Sequence, residues 1–586
     1  MPIEDLITLP HVAKGIALYS SRTTLSCCSQ VSKAFYQAFT PHLWLHVERS
    51  SYEPSPVNHR ALSKYGRYIR SANLRLETDI LSFAEFCPNL TSLASPSGRL
   101  NWKRLAVEVS PQIPKIERLR LRYNREYPGF ADFLTPLKNL RSLVLQYDEH
   151  DFPATRMATI LTHCHRQDIR LELFEMRGTV VGDRSTVFGQ EQHGQEQHAS
   201  VINSNDALVA LNLDDAHLLN SSSSGGGGIE VPATLKSFLF KDLKHHLSFN
   251  QHAADLVLAT IQQCPALQEI SLPELDASQL SQIYDWLSLR KQQRQSPTLL
   301  TAIHFGSWTR GPDLAQTDKS LADLVLLLPQ NTLRQLTFRS GYIGTQLLKA
   351  ILNHHARSIE VLDIGGGSNV TQMTSSLARA FLSQCPSLTV FKVGQGVTSS
   401  ILSGQDAMND GLPWACQHLE VLQLSIGGFC LQSNNDDEEG PEGQGIVPCQ
   451  THDACLAQER QVMQQLGRLR SLYELDTSLY PRLYPAVQDP PGARIDETGE
   501  PPHLAWTIAA GLDLLAPLKD LKLFRCYGVE HKTLVEDVKW MKRHWPKLQD
   551  LSCGWDQGLF GQEISDWLQR NWVGVYEHMA LLNWLE

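Results

Sequence analysis

The sequence predicts an α/β protein: a short helical segment followed by stacked helix–strand units, interrupted by polar insertions. Two observations carry this. The phrase apolar-x-x-apolar-x-apolar recurs along most of the chain, and residues 9–44, LPHVAKGIALYSSRTTLSCCSQVSKAFYQAFTPHLW, form a separate compact apolar block ahead of it. A third observation is the repeated joint Cys-Pro-x-Leu, which ends a helix and starts a strand at Cys87, Cys264 and Cys385, with Trp545-Pro-Lys-Leu548 as a bulkier version. Proline cannot continue a helix and drives its predecessor toward extended geometry.

Eleven clean phrases start at Ile116, Leu140, Leu235, Leu267, Leu300, Leu333, Ile359, Leu388, Leu419, Leu518 and Leu548, with weaker copies at Ile69, Leu90 and Leu469. Between Leu235 and Leu419 the starts are 32, 33, 33, 26, 29 and 31 residues apart. Helix-like stretches such as HAADLVLATIQQ, GTQLLKAILNHH and SSLARAFLSQ precede Leu267, Ile359 and Leu388. A unit of about 30 residues cannot cover its own apolar face, so units must stack.

These phrases resemble leucine-rich repeats, and the Cys-Pro-x-Leu joint resembles their cysteine-containing variety. The resemblance implies a solenoid with parallel strands on the concave face and helices on the convex face. Residues 49–185 form a first block of repeats, 231–431 a central block and 461–559 a last block. Between them lie the polar low-complexity stretch 186–230 (QEQHGQEQH, SSSSGGGG), expected to be disordered, and the acidic loop 432–460. A proline-rich loop covers 484–503. Six of twelve tryptophans fall in the last 47 residues. Ile564, Trp567, Leu568 and Trp572 share one helical face, so 560–586 is expected to cap the open end.

The opening block, 1–48, resembles an F-box, the helical domain that docks an adaptor subunit of cullin–RING ubiquitin ligases. The matching residues are Leu9-Pro10, Ile16, Leu18, Thr24-Leu25, Cys28, the run Val31-Ser-Lys-Ala-Phe35-Tyr and the closing Leu43-Trp44. Carried over residue by residue, the adaptor-binding set is Leu9, Pro10, Ile16, Leu25, Cys28, Val31, Phe35 and Trp44. The family usually places an acid after Leu-Pro, whereas His11-Val12-Ala13 stands here, which implies a weaker first helix cap. So small a helical segment cannot bury all its apolar residues within itself. Some must meet a partner or the first repeat.

The bulk numbers set limits. Net charge is −10, so the chain as a whole is no polyanion binder and no nucleic-acid partner is expected. The densest apolar run, 321–329, is too short to span a bilayer of about 30 Å, and the terminal helix lacks a lysine- and arginine-rich face, so no membrane partner is expected. The start MPIEDLITLP has no basic run followed by an apolar one, so no secretory leader is expected. The twelve cysteines are then read as reduced thiols in the cytoplasm or nucleus. No C-x-x-C occurs, and Cys27, Cys28, Cys430, Cys449 and Cys455 lack zinc spacing, so no metal is expected. His163-Cys164-His165, His245-His246 and His354-His355 are expected to be solvated at loops or helix ends.

No cofactor is expected either. The run Glu360–Asn369 (EVLDIGGGSN) looks like the glycine loop of an S-adenosylmethionine methyltransferase. However, no Asp or Glu appears between Asp363 and Asp406 to hold a ribose, and Ile359, Leu362 and Ile364 keep the repeat register. The P-loop, H-E-x-x-H and G-x-S-x-G motifs are absent. The expected function is a non-catalytic substrate adaptor: residues 9–44 hold a Skp-type adaptor of a cullin–RING ligase, and the repeat surface holds a client protein. A repeat scaffold unconnected to ubiquitin is the alternative, and the methyltransferase a distant third. On the strand faces, Arg75, Arg118, Arg120 and Arg122 form a candidate basic stripe for an acidic or phosphorylated client. Further along, Gln335, Thr337 and Arg339, then Val361 and Asp363, then Asp520, Lys522 and Phe524 are expected to face outward.

Overall fold

The computed structural model describes residues 6–48, 59–97, 100–123, 129–147, 154–178, 231–232, 234–241, 258–264, 266–272, 277–292, 300–307, 314–340, 342–364, 370–371, 373–393, 402–403, 406–407, 413–427, 452–477, 504–526, 533–553 and 559–572. They belong to two compact units, 1–267 and 268–586.

The first unit opens with three helices, α1 (Pro10–Tyr19), α2 (Arg22–Cys28) and α3 (Lys33–Leu43). Seven strands follow among the described residues: β1 (His46–Glu48), β2 (Ser71–Asn73), β3 (Ser92–Ser95), β4 (Arg118–Tyr123), β5 (Ser142–Tyr147), β6 (Leu173–Gly178) and β7 (Ser237–Lys241). Each pairs in parallel with the next, in sequence order. Parallel neighbours need a crossover. Helices supply it, among them α4 (His59–Tyr65), α5 (Glu77–Phe86), α6 (Trp102–Glu108), α7 (Phe130–Leu134) and α8 (Ala154–Arg166).

The second unit repeats the plan. Its strands are β8 (Glu269–Leu272), β9 (Ala302–Ser307), β10 (Gln335–Ser340), β11 (Val361–Ile364), β12 (Val390–Val393), β13 (Val421–Gln423), β14 (Glu474–Asp476), β15 (Leu523–Cys526) and β16 (Asp550–Cys553). All neighbouring pairs are parallel. The helices include α9 (Ala277–Gln292), α10 (Leu314–Leu327), α11 (Thr345–His355), α12 (Ser375–Gln384), α13 (His452–Gly467), α14 (Val535–His544) and α15 (Leu559–Asn571). This is the α/β architecture of leucine-rich repeats. Two further two-residue pairs, Tyr342–Ile343 with Val370–Thr371 and Leu402–Ser403 with Ile426–Gly427, widen this unit.

The recurring joint explains the register. The backbone N–H of the first apolar residue donates to the carbonyl three residues back: Leu90 to Cys87 (3.1 Å), Leu140 to Leu137 (3.0 Å), Leu388 to Cys385 (3.2 Å) and Leu548 to Trp545 (3.1 Å). The next two N–H groups then share one carbonyl of the preceding repeat, as Arg141 and Ser142 do with Glu117 (2.8 and 2.9 Å). Within each unit, successive described coils that share such a carbonyl are thus pinned to one another. The joint residues Cys87, Cys264, Cys385 and Trp545 are fully buried, where a small thiol or a flat indole fills the turn under the helix end.

That joint also corrects the sequence reading. The same turn occurs at Leu472 to Leu469 (3.0 Å) and Leu521 to Leu518 (3.3 Å), so Leu472 and Leu521 start these two repeats, and Leu469 and Leu518 occupy the joint. Leu521 therefore leads to Phe524 and Cys526, which point inward. Phe524 is buried between Trp506 (4.7 Å) and Trp545 (5.4 Å), not outward as expected. Where Leu518, Leu521, Leu523 and Phe524 are all apolar, the pattern cannot choose between frames, and a one-residue shift exchanges the faces of a strand. A further repeat, Leu171-x-x-Phe174-x-Met176, escaped the pattern; all three side chains are buried.

Two other expectations change. His355 is buried on α11, and His354 bonds to the Leu328 carbonyl (2.9 Å), so this pair is packed rather than solvated. In the other cluster Cys164 is buried and His163 lies near the Thr135 hydroxyl (3.1 Å). Cys526 is disulfide-bonded, beside Cys553 in register, so not every cysteine is reduced. Residues 186–230, 484–503, 573–586, the glycines 365–367 and His245-His246 lie outside the described residues. Of 432–460 only 452–460 is described, and it begins α13.

Candidate docking surfaces

The N-terminal helices fold around a small core. Ile7, Ala13, Leu25 and Phe39 are buried, with Ala17, Cys28, Ala34, Phe35, Ala38 and Leu43 packed against them. Ser21 caps α2 through the Thr24 N–H (3.1 Å), and Ser32 caps α3 through the Phe35 N–H (3.4 Å), which stops each helix from continuing into its neighbour. Helix α1 has Pro10 in its first turn, no side-chain cap and no acidic residue there. The missing acid after Leu-Pro thus shows as an uncapped helix start.

What the core leaves outside is apolar. Leu9 is 38% exposed, Ile16 39%, Leu18 72% and Val31 67%. Leu6, Tyr19 and Tyr36 are also exposed. Single exposed leucines are ordinary; several on one 40-residue module are not. The eight residues carried over from the F-box resemblance therefore divide. Leu9, Pro10, Ile16 and Val31 face solvent, whereas Leu25 is core. Cys28 and Phe35 are partly buried against that core.

Trp44 does something different. Its ring stacks on Tyr65 of α4, with centroids 4.8 Å apart and planes 15° from parallel. The Tyr36 and Tyr65 hydroxyls meet at 2.7 Å. Immediately beyond, the Leu45 carbonyl accepts the N–H groups of Arg70 and Ser71 (3.0 and 3.1 Å), and β1 joins the ladder. The closing Leu-Trp thus joins the helical module to the first repeat. Aromatic stacking and the shared carbonyl hold the two together. His42, on α3, has its pKa lowered by burial and then by the nearby Lys14.

A second surface is the outward face of the strands in the first unit. Arg118 and Arg120 on β4 are exposed, and Leu119 and Leu121 between and beyond them are buried, the period-2 alternation of a strand with one covered face. Arg122 is half-buried and Arg75 lies two residues past the end of β2; both have interactions of their own. In the second unit the corresponding polar row runs Ser271, His304, Thr337, Asp363, Lys392, Gln423, Asp476, Arg525 and Ser552. Much of it is internally paired. His304 meets Thr337 (2.8 Å) and Glu269 (3.1 Å), Lys392 meets Glu474 (3.5 Å), and Arg525 meets Asp550 (2.8 Å).

Among the described residues no helix is long and apolar enough to cross a membrane, and no three His, Cys, Asp or Glu side chains gather as a metal site. The buried thiols of Cys87, Cys164, Cys385 and Cys416 are pushed up to about 12 by burial, far from the thiolate that nucleophilic chemistry requires.

No protein-family profile and no curated protein matches this chain. Solved structures do. The chain is similar to one in the complex of Rad7 and Elc1 in yeast, at 15% identity over 72% of this chain and 88% of that one, with a TM-score of 0.38. It is also similar to one in the Toll–Spatzle complex of Drosophila, at 11% identity over 74% of this chain and 54% of that one, with a TM-score of 0.29. Both scores are low, and the repeat architecture stands on the strand register and buried rungs. Those features define a repeat protein of the leucine-rich type, fronted by a helical module with several exposed apolar side chains.

Proposed function

We propose that this chain is the client-holding subunit of a cullin–RING ubiquitin ligase. Its N-terminal helices dock a Skp-type adaptor subunit, and the outward faces of the strands hold a client protein. The chain supplies no catalytic group or cofactor in this reading, and it works in the cytoplasm or nucleus. Its contribution is proximity: holding the client raises the effective concentration of client lysines near the conjugating enzyme.

The observation that carries the reading is the division within residues 6–44. Ile7, Leu25 and Phe39 close a core, while Leu9, Ile16, Leu18 and Val31 stay in water on the same three helices. A module serving only to cap the repeats would turn those side chains toward β1 and α4. Here Trp44 and Tyr36 make that junction, and the leucines and valine remain available.

Capture of purified adaptor by the full chain tests this. Leu9→Ala combined with Val31→Ala should abolish capture, because truncating a central interface anchor costs about 2 kcal/mol or more. Its melting curve should match wild type, since both side chains are exposed. Phe39→Ala is the contrasting control: a fully buried ring is lost, and the module should unfold. A wild-type chain that folds and ignores the adaptor would favour the scaffold reading, in which the apolar face meets some other protein.

A further inference from the structure

Among the described cations on the outward strand faces, Arg118 and Arg120 differ from those that are ion-paired. Arg177 pairs with Glu175, Lys392 with Glu474 and Arg525 with Asp550. At the strand entrances Arg141 and Lys236 both pair with Glu172 (3.3 and 3.2 Å). Arg118 and Arg120 have no hydrogen-bond or ion-pair partner among the described residues. They are exposed, two residues apart on one strand, and so point the same way.

Their direct cross-strand neighbours are uncharged. Arg118 stands between Ser92 and Ser142, and Arg120 between Ala94 and Val144. The cross-strand row through Arg118 runs His46, Ser71, Ser92, Arg118, Ser142, Leu173, Ser237 and holds no carboxylate. In the row through Arg120 the nearer carboxylate, Glu175, is two strands away, about 10 Å, and is buried and paired with Arg177. Glu117 is exposed beside Arg118 in sequence but precedes the strand and pairs with neither arginine. Ser92, Ala94 and Ser142 are small, while Val144 beside Arg120 is buried, so a ligand backbone has most room on the β3 side and over Ser142. In a chain of net charge −10, two adjacent uncompensated guanidiniums on an open face are a local exception.

We propose that Arg118 and Arg120 grip an extended acidic segment of a protein client, one carboxylate per guanidinium at alternate residues of that segment. Alternate side chains of an extended chain recur every ~6.6 Å, the same spacing that separates the two arginines along β4. Each carboxylate can then take a bidentate pair. The inference deepens the client-holding role proposed above and names the chemistry of the client.

The test uses the full chain and a fluorescent peptide with Asp at three alternate positions among Thr residues, read by anisotropy. Binding should weaken with added salt. It should fall about 100-fold in Arg118→Glu/Arg120→Glu, as expected when two charge-assisted pairs become repulsions, and by less in Arg118→Gln/Arg120→Gln. The Asn-for-Asp peptide should bind no better than the charge-reversed protein binds the Asp peptide. The inference is overturned if the Asp peptide does not bind, if the reversed variant binds it unchanged, or if the Asn peptide binds equally. It is also overturned if a single-phosphoserine peptide lacking acids, or single-stranded DNA, binds more tightly. Adaptor capture, measured on the same variants, separates this from the ligase reading. Peptide binding by a chain that ignores the adaptor would sink that reading and leave this one standing.

Discussion

Acid should weaken the second unit through one histidine. His355 sits at the end of α11, fully buried, and its Nε2 donates to the Val325 carbonyl of α10 at 3.2 Å. The other ring nitrogen, Nδ1, is buried with no hydrogen-bond partner. In the neutral ring Nδ1 is only a bare lone pair. Protonation would place a charged N–H in an apolar site with nothing to accept it. Burial, more than the opposing Val325 bond and ahead of repulsion from His354, lowers the pKa from 6.5 to about 4. The unfolded chain thus takes up a proton that the folded chain refuses. The contribution is intact above pH 6.5 and is lost progressively as pH falls toward 4. At 1.36 kcal/mol per pH unit the full loss is about 3 kcal/mol. Urea unfolding of wild type and His355→Gln between pH 7.5 and 4.5 measures it. The variant should be less stable at pH 7.5 from altered packing, yet lose less stability on acidification. Parallel decline of the two curves would refute the assignment of the acid sensitivity to this ring.

Two more outcomes follow from the same packing. Asp318, buried on α10, accepts the N–H groups of Gln346 and Leu347 (2.9 and 3.1 Å) at the start of α11. Asp318→Ala should cost about 1–3 kcal/mol in unfolding free energy. A Cβ at Gly344 would stand 2.1 Å from the Asp318 carboxylate, so Gly344→Ala should also destabilise, and less so once Asp318 is already alanine. Thiol reactivity supplies a separate check. With Ellman's reagent at pH 7.5, exposed Cys27 should react in the native protein, while Cys87, Cys164, Cys385 and Cys416 should wait for unfolding; immediate labelling of all of them would contradict their burial.

The repeats were legible because two signals coincide at each joint: a helix stop, and apolar residues at alternate positions after it. At Cys87, Cys264 and Cys385 proline makes the stop unmistakable. At Leu469 no proline follows the joint residue, at Leu518 the proline (Pro517) precedes it instead, and in both places leucines stand three apart in a row of three, so the frame the sequence suggests falls one turn early. The repeat at Leu171 lacks a proline-marked joint ahead of it, and its rungs Phe174 and Met176 are recognised only from their burial. Histidine environments were not legible at all: the pair at 354–355 has no sequence feature that separates a helix end in water from one packed under a neighbouring helix. For the docking surface, the sequence named Leu9, Ile16 and Val31 together with Leu25 and Phe35, and composition alone could not separate anchors from core.

By itself the chain's order of residues determined that helix–strand units recur and stack, because a buried strand face and a terminated helix leave local, periodic marks. It also determined that a distinct apolar module precedes them. Only the folded structure decided which leucine of a run is a rung, which ring is shut away from water, and which arginines lack a counter-charge. Each of those depends on a neighbour one repeat away, about 20 to 60 residues distant in sequence, and pairing across that gap is set by register and packing that no local pattern records.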